Sequence, residues 1–221
     1  MVEKIGFHGT KKSRGQEILN DQKMKMSRGD DHWLGDGSYF FKDDFWAYWW
    51  IREMFKERHL EFYGTVSDSF IEDHYQIIQT VIYVKRERIF DLDDLTHKRE
   101  FLIALSEIKD KKEYSDKYQE CQAAEGLVLN YMFNKLDYHK EFDMVCADFT
   151  RDYSNYNGMR LRKNYNSQHQ ICVKNLDIIE TLDEYDFIKH ILSYHQLLDT
   201  FFSNEGINIY EPDNNDNVYY M

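Results

Sequence analysis

The sequence predicts an α+β fold. β-Branched runs and short alternating segments are separated by amphipathic segments of unequal length, so the strict strand–helix alternation of a doubly wound parallel sheet is missing. No Gly-x-Gly-x-x-Gly pattern opens a helix, and no Walker-type Gly-Lys-Ser/Thr loop occurs. A dinucleotide bound by this chain would therefore lie in a site other than a Rossmann cradle.

Length and composition indicate a single domain over residues 1–221. The 221 residues are 42% hydrophobic and 16% aromatic, which is enough for a buried core, and a single proline leaves no proline-rich linker. Cys121, Cys146 and Cys172 are odd in number and far apart, which indicates a reducing compartment and argues against disulfides or a metal site. With no signal-like start and no apolar run of membrane length, we expect a cytoplasmic protein without membrane contact.

The predicted elements of the N-terminal half are, in chain order, a strand over residues 4–7 that ends at His8, a helix over 13–20, a strand over 38–41 and a helix over 43–59. Trp46, Trp49 and Trp50 recur on the last of these helices at helical spacing. We expect core packing from them, and a ligand contact from one at most.

The predicted elements of the C-terminal half are a strand within residues 76–90, helices over 95–109 and 118–134, strands over 142–149 and 169–173, and an amphipathic helix over 186–202. Residues of about 95–140 look like a helical insertion. Residues 186–221 combine the C-terminal helix with an acidic tail.

The formal net charge of −12 is unevenly distributed along the chain. No Lys or Arg follows Lys189, whereas residues 11–28 and residues 151–176 each carry a local charge of +4. A polyanion can therefore bind at one face in spite of the acidic total, although an isolated charge run is more often a solvated surface.

Two strings near the N-terminus suggest a chemistry: residues 6–10 read Gly-Phe-His-Gly-Thr, and residues 33–41 read Trp-Leu-Gly-Asp-Gly-Ser-Tyr-Phe-Phe. Gly9 has no side chain, so its main chain can approach a nicotinamide carboxamide and pair with its donor and its acceptor. His8 can hydrogen-bond a ribose hydroxyl, and Tyr39 offers an aromatic face that attracts a positively charged ring. Each residue alone is more often an ordinary strand residue, but together they favour a ligand site.

These strings, with Ala47 and Trp50 on the following helix and the later string Gln170-Ile171-Cys172-Val173, resemble the ADP-ribosyltransferase superfamily. The likeness is to its His-Tyr-Glu branch, which includes the poly(ADP-ribose) polymerases and many small bacterial toxins, and it covers residues of about 5–180. The resemblance implies a split β-sandwich with helical insertions and a C-terminal helix, whose cleft binds NAD as a substrate.

The resemblance also implies a role for each matching residue. His8 holds the nicotinamide ribose, Gly9 binds the carboxamide through its backbone, and Tyr39 stacks on the nicotinamide ring. The remaining residues of the NAD-binding set flank these positions or lie on the following helix: Thr10, Gly37, Ser38 and Trp50.

The third catalytic position of that family, usually a Glu on a late strand, differs here, because residues 167–173 contain no Glu. Gln170 fits the position best by its distance from the following Ile-x-Val. Gln168 lies two residues earlier, hence on the same strand face, where some relatives use a Gln-x-Glu element to orient the acceptor. His169 is the alternative if the register differs by one residue. A Gln carries no charge to stabilise an oxocarbenium-like centre, so we expect slow transfer or transfer of a single unit.

The resemblance predicts a mono-ADP-ribosyltransferase toxin of the kind that is paired with an antitoxin or used against phage. We expect the basic loop before the late strand to bind the acceptor through Arg160, Arg162 and Lys163, together with Gln168. Basic residues neutralise phosphates and aromatic rings stack on bases, so single-stranded RNA or DNA is favoured over a protein side chain. An antitoxin or a chaperone could dock on the acidic tail and on the helix over 186–202.

Two alternatives remain open. The missing Glu also fits a catalytically weak module that binds NAD or ADP-ribose. A relative of the RNA 2′-phosphotransferases would share the fold, but it needs an arginine-rich phosphate pocket, which the sequence does not place.

Overall fold

The structure, a computed structural model, describes residues 1–29, 32–58, 65–109, 111, 114, 124–150, 155–156, 159–160, 167–202 and 209–210. These residues have a mixed α/β architecture built on a seven-stranded mixed sheet. No helix among them is long and apolar enough to cross a membrane.

The strands of the main sheet are β1 (Val2–Lys11), β2 (Ser38–Phe41), β4 (Tyr75–Val84), β5 (Ile89–Asp91), β6 (Met144–Thr150), β9 (Ser167–Val173) and β10 (Ile179–Tyr185). Two further pairs are β3 (Thr65–Val66) with β11 (Ile209–Tyr210), and β7 (Asn155–Tyr156) with β8 (Met159–Arg160). The helices are α1 (Lys12–Asp21), α2 (Asp44–Arg58), α3 (Asp68–His74), α4 (Leu95–Lys109), α5 (Ala124–Lys135) and α6 (Ile191–Phe202).

The main sheet consists of two blocks that meet at a narrow contact. Its strand order is β10-β4-β1-β2-β9-β6-β5, and neighbours are antiparallel except β5 and β6. β1 pairs with β4 along its whole length, and β2 pairs with β9 over four residues. β1 and β2, however, share a single register pair, Phe7↔Phe41. Strand pairing between the block of β10, β4 and β1 and the block of β2, β9, β6 and β5 is therefore confined to one register pair.

Three apolar clusters cover this sheet. One packs α4 and α5 on the block that contains β6 and β9, and a second packs α2 and α6 on the block that contains β1 and β4. The third lies beneath α1 and joins both blocks through Phe40, Ile78 and Ile171. Because successive side chains of a strand alternate between faces, Phe40 enters the third cluster and Phe41 the second. The region predicted as a helical insertion thus contributes α4 and α5 to the core.

Several element predictions are confirmed, and some are wrong. The strand over 38–41 and the helix over 95–109 have their predicted bounds. The prediction that the first strand ends at His8 is wrong, because β4 pairs with β1 as far as Lys11 and so extends it. The sequence does not predict β10, because most of its residues are polar. They form a strand because they pair with β4. The C-terminal helix begins with a 3-10 turn over Phe187–His190.

Candidate functional site at the junction of β1 and β2

His8 lies one residue beyond the single register pair of β1 and β2. Its Nδ1 is 2.8 Å from the main-chain oxygen of Tyr39. A carbonyl can only accept, so Nδ1 carries the hydrogen and Nε2 remains an acceptor. Burial lowers the pKa of the imidazole, the Arg14 charge acts in the same direction, and the bond to Tyr39 opposes both. The ring is therefore neutral near pH 7, and its Nε2 can accept a hydrogen bond from a hydroxyl.

Gly9 turns its peptide groups towards β2. The Tyr39 carbonyl points to His8, hence towards β1. Phe41 lies two residues further along the strand, so its N–H and C=O also point towards β1. Phe41 pairs with Phe7, so Phe7 turns its N–H and C=O towards β2, and Gly9 follows by the same two-residue repeat. In the described part of the chain no β2 residue is registered opposite Gly9. Its donor and acceptor therefore face the gap between the strands.

α2 packs so closely on Gly9 that only a glycine fits there. A Cβ built on Gly9 would overlap the carbonyl oxygen of Ala47 and lie 3.0 Å from Cγ1 of Ile51. Trp50 lies one helical turn from Ala47 and is 37% exposed, whereas the other two tryptophans of α2 are buried. Trp50 is thus the tryptophan of this helix that a ligand can reach most easily.

The ring of Tyr39 lies on the opposite side of β2 from the ring of His8. The His8 ring packs edge-on against Phe40, with centroids 5.9 Å apart, and Phe40 and Tyr39 point to opposite faces of the strand. The Tyr39 hydroxyl donates to the Gly35 carbonyl and accepts from the Leu34 N–H at 3.1 Å. Burial raises the pKa of this phenol far above its usual value. His8 and Tyr39 therefore meet through the Tyr39 main chain, and their rings do not face each other.

The turn over residues 34–37, which receives the Tyr39 hydroxyl, is held by side chains from distant elements. Lys174 Nζ donates to the carbonyls of Leu34 at 2.6 Å and Asp36 at 2.5 Å, and Asn130 Oδ1 accepts from the Asp36 N–H at 2.6 Å. Gly35 has φ +69°, which favours glycine. Lys174 and Asn130 are not predictable as part of the site, because nothing near them in the chain indicates which turn they hold.

Three residues of the expected NAD-binding set make their described contacts within the protein. Ser38 Oγ donates to the Lys25 carbonyl at 3.0 Å. Gly37 exchanges two main-chain hydrogen bonds with Ser27, at 2.8 and 3.0 Å. Thr10 is buried and pairs with Gln76 of β4 near the end of β1. These contacts hold the start of β2 and the end of β1 in place beside the gap.

Gln168 and Gln170 lie on the same face of the sheet as Tyr39. β9 pairs Cys172 with Tyr39, and residues two and four positions earlier share the face of Cys172. Both glutamines are buried, and Gln170 Nε2 donates to Gln168 Oε1 at 3.4 Å. Among the residues that the structure describes, Gln168 Nε2 is buried without a hydrogen-bond partner. This face of β9 therefore carries two amides and no carboxylate near Tyr39.

The remaining candidates lie elsewhere. His169 points to the other face, where its Nδ1 is 2.7 Å from Oδ1 of Asp148. Arg160 belongs to β8, and Arg162 and Lys163 lie outside the described residues. Within the described ranges, no group of three or more His, Cys, Asp or Glu is placed to hold a metal ion.

Comparison with known proteins gives a relative in an archaeon. The chain is 33% identical over 199 residues to the uncharacterized protein MJ0359 of Methanocaldococcus jannaschii, and the alignment spans 84% of this chain and 88% of that protein. No protein-family model matches the chain, and no solved structure matches it.

Proposed function

This chain belongs to the same protein family as MJ0359, and we propose that it is an enzyme that transfers one ADP-ribose unit from NAD to an acceptor in the cytoplasm. The proposal includes a split β-sandwich of the ADP-ribosyltransferase type. The split is the junction where β1 and β2 share one register pair, and the gap beyond it holds the nicotinamide end of NAD.

The observation that carries the proposal is the pair of main-chain groups that Gly9 presents to this gap. An adjacent N–H and C=O are the complement of a primary carboxamide, which presents a carbonyl oxygen as acceptor beside an NH₂ group as donor. His8, the preceding residue, keeps its Nε2 free of the bond that its Nδ1 makes to Tyr39. That nitrogen can accept a hydrogen bond from a ribose hydroxyl, which lies next to the nicotinamide in NAD.

Aromatic rings provide the remaining contacts to the nicotinamide. The pyridinium ring of NAD is positively charged and is attracted to the face of an aromatic ring. The bonds to Leu34 and Gly35 hold the Tyr39 ring in one orientation. Trp50 exposes 37% of its surface on the helix that packs against Gly9. We assign stacking to Tyr39 and closure of the pocket to Trp50.

In the reaction, the bond between the nicotinamide nitrogen and C1′ of the ribose breaks, and its electron pair leaves with the nicotinamide, which becomes neutral. C1′ then bonds the acceptor nucleophile, which releases a proton to solvent. A neutral leaving group needs no strong acid, so the residues act by orientation and by polar contacts to the developing positive charge. The Gln170 carbonyl oxygen can bond a ribose hydroxyl but supplies no full charge, which supports slow transfer of a single unit.

The acceptor class and the biological role extend the same proposal. The local charge of +4 over residues 151–176 supports a single-stranded RNA or DNA acceptor, with Arg160, Arg162 and Lys163 at its phosphates. A protein side chain is the second candidate. An enzyme of this kind acts as a toxin that an antitoxin restrains, or as a defence against phage.

The proposal is tested by following both products. The full-length protein is incubated with labelled NAD, RNA and cell lysate, and nicotinamide release and covalent labelling are measured. We expect both signals from the native protein. His8→Ala and Tyr39→Ala abolish them together with toxicity on expression, and Gln170→Ala lowers them sharply. An NAD-binding protein that releases no nicotinamide and labels nothing would contradict the proposal.

That contrary outcome corresponds to a second candidate, a module that binds NAD or ADP-ribose without efficient turnover. The observation in its favour is the absence of a carboxylate from the Tyr39 face of β9, where Gln168 and Gln170 lie. Calorimetric titration with NAD and with ADP-ribose distinguishes the two, because a module of this type binds both and consumes neither.

A further inference from the structure

His169 and Asp148 form a hydrogen-bonded pair across β9 and β6. The two residues are register partners, and Nδ1 of His169 lies 2.7 Å from Oδ1 of Asp148. Residues 151–166, which we call the acceptor segment, connect the end of β6 to the start of β9. They include the three basic residues to which the proposed function assigns the acceptor. The pair therefore lies where both ends of the acceptor segment meet the sheet.

This pair leaves one nitrogen of the imidazole available. A carboxylate can only accept, so Nδ1 of His169 carries the hydrogen and Nε2 is an acceptor. Within the described ranges, Nε2 has no hydrogen-bond partner. The main chain of the pair is fixed, because the Asp148 N–H donates to Oδ2 of Asp93 at 2.7 Å and the Lys42 N–H donates to the His169 carbonyl at 3.0 Å. The His169 side chain is 18% exposed, so a nucleophile can reach it.

The His169 ring lies on the same face of the sheet as the His8 ring. The His8 ring packs against Phe40, and Phe40 is the register partner of Ile171 on β9. His169 lies two residues before Ile171 and therefore shares its face. Two strand spacings and an offset of two residues separate the Cα atoms of the two histidines by roughly 12 Å. One ring can therefore contact a ribose hydroxyl while the other contacts the nucleophile that approaches C1′.

We propose that His169 is the general base of the transfer and that Asp148 positions it. As the nicotinamide leaves C1′ with the bonding electron pair, the acceptor nucleophile forms the new bond to C1′ and its proton passes to Nε2 of His169. Asp148 stabilises the resulting imidazolium, which then releases the proton to solvent. This inference rests on the proposed function, because it names the group that activates the acceptor of that same site.

Azide distinguishes a general base from a structural residue, because azide bonds C1′ as an anion and has no proton to lose. Native protein and His169→Ala are incubated with labelled NAD and a short single-stranded RNA, with and without sodium azide. Without azide, we expect nicotinamide release and RNA labelling by His169→Ala to fall at least about hundredfold, as for a lost general base. Azide should restore nicotinamide release and yield ADP-ribosyl azide. His8→Ala should gain nothing from azide, because its defect lies in holding the ribose.

Two further variants complete the design. Asp148→Asn should lose at least about tenfold in transfer, because an amide supplies no negative charge to the imidazolium, and azide should restore this loss as well. His195→Ala is the matched control. Nε2 of His195 lies 3.0 Å from Oδ1 of Asp68, in a second His–Asp pair between α6 and α3. Its removal should leave nicotinamide release and labelling unchanged.

The failure of this inference is distinguishable from the failure of the proposed function. Native labelling by a folded His169→Ala protein would overturn the general base alone, and so would a loss that azide does not restore. A native protein that releases no nicotinamide with RNA or with azide refutes the transferase activity itself. Melting temperatures show that each variant has folded, and His169→Gln, which can still donate to Asp148, replaces His169→Ala if the latter does not fold.

Discussion

The Nδ1 atom of His8 lies 2.8 Å from the main-chain oxygen of Tyr39, at the point where β1 and β2 stop pairing. The imidazole hydrogen-bonds a carbonyl that faces β1 just beyond the last register pair. The same bond selects the tautomer in which Nε2 is an acceptor. One side chain thus joins the two blocks of the sheet and keeps a polar atom available at the gap.

These two roles of His8 can be separated by substitution. In His8→Asn the side-chain amide can still donate to the Tyr39 carbonyl, but nothing replaces Nε2. We expect near-native thermal stability, with nicotinamide release reduced by at least about tenfold. The reason is that the transition state loses one neutral hydrogen bond and the ribose is no longer held in the correct orientation. His8→Ala should lose both properties. Native turnover by a folded His8→Asn protein would contradict the assignment of Nε2 to the ribose.

The lowered pKa of His8 predicts a specific dependence of stability on pH. The unfolded imidazole, with a pKa of about 6.5, takes up a proton before the folded one does. Protonation of His8 therefore leaves the free energy of unfolding unchanged above that pH. It lowers this free energy as the pH falls from about 6.5 through the pKa of the folded state. Urea unfolding of the native protein and of His8→Asn at pH 7.5 and 5.5 measures this contribution. A His8 NMR titration midpoint at or above 6.5 would contradict the burial argument.

Gly9→Ala should move α2 away from β1. The new Cβ would overlap the Ala47 carbonyl oxygen, which cannot rotate away because it belongs to the helix backbone. We expect a loss of about 1–3 kcal/mol in the free energy of unfolding, as is usual for overpacking, together with loss of NAD binding measured by calorimetry. Ile5→Ala, at an exposed position of the same strand, is the control. Native NAD affinity in Gly9→Ala would remove the carboxamide role of Gly9.

Tyr39→Phe separates the hydroxyl of Tyr39 from its ring. The substitution leaves the Leu34 N–H and the Gly35 carbonyl without their shared partner, so we expect a loss of about 1–3 kcal/mol in the free energy of unfolding. Nicotinamide release should persist below the melting temperature, because the ring remains. Unchanged killing by a well-folded Tyr39→Ala protein would exclude stacking by this residue.

Charge reversal at Arg160, Arg162 and Lys163 tests the acceptor loop. Fewer phosphate contacts should weaken labelling of nucleic acid more than cleavage of NAD, and should flatten the dependence of RNA binding on salt. Both are measured by the labelling assay and by titrations at two salt concentrations. Equal loss of labelling and cleavage would show that the three side chains act on NAD.

Local signals in the sequence were sufficient for elements that depend on neighbouring residues. The strand over 38–41 and the helix over 95–109 have their predicted bounds, because periodicity and flanking residues act within a few positions. The prediction of core packing from the tryptophans at helical spacing is confirmed for Trp46 and Trp49, whereas Trp50 is 37% exposed. The alternation rule correctly put Gln168 and Gln170 on one strand face.

What the sequence determined by itself was the mixed α/β class and the adjacency of His8 to Gly9; that position 9 admits only a glycine follows from the packing of α2 against it. The tertiary structure decided that β1 runs to Lys11, that the rings of His8 and Tyr39 take opposite sides of β2, and that Lys174 and Asn130 hold the turn bonded by Tyr39. These outcomes follow from strand register and from hydrogen bonds between residues far apart in the chain. The local alternation of residues predicts that a segment is a strand. Pairing with the neighbouring strand sets where that strand begins and ends and which of its side chains lie on each face of the sheet.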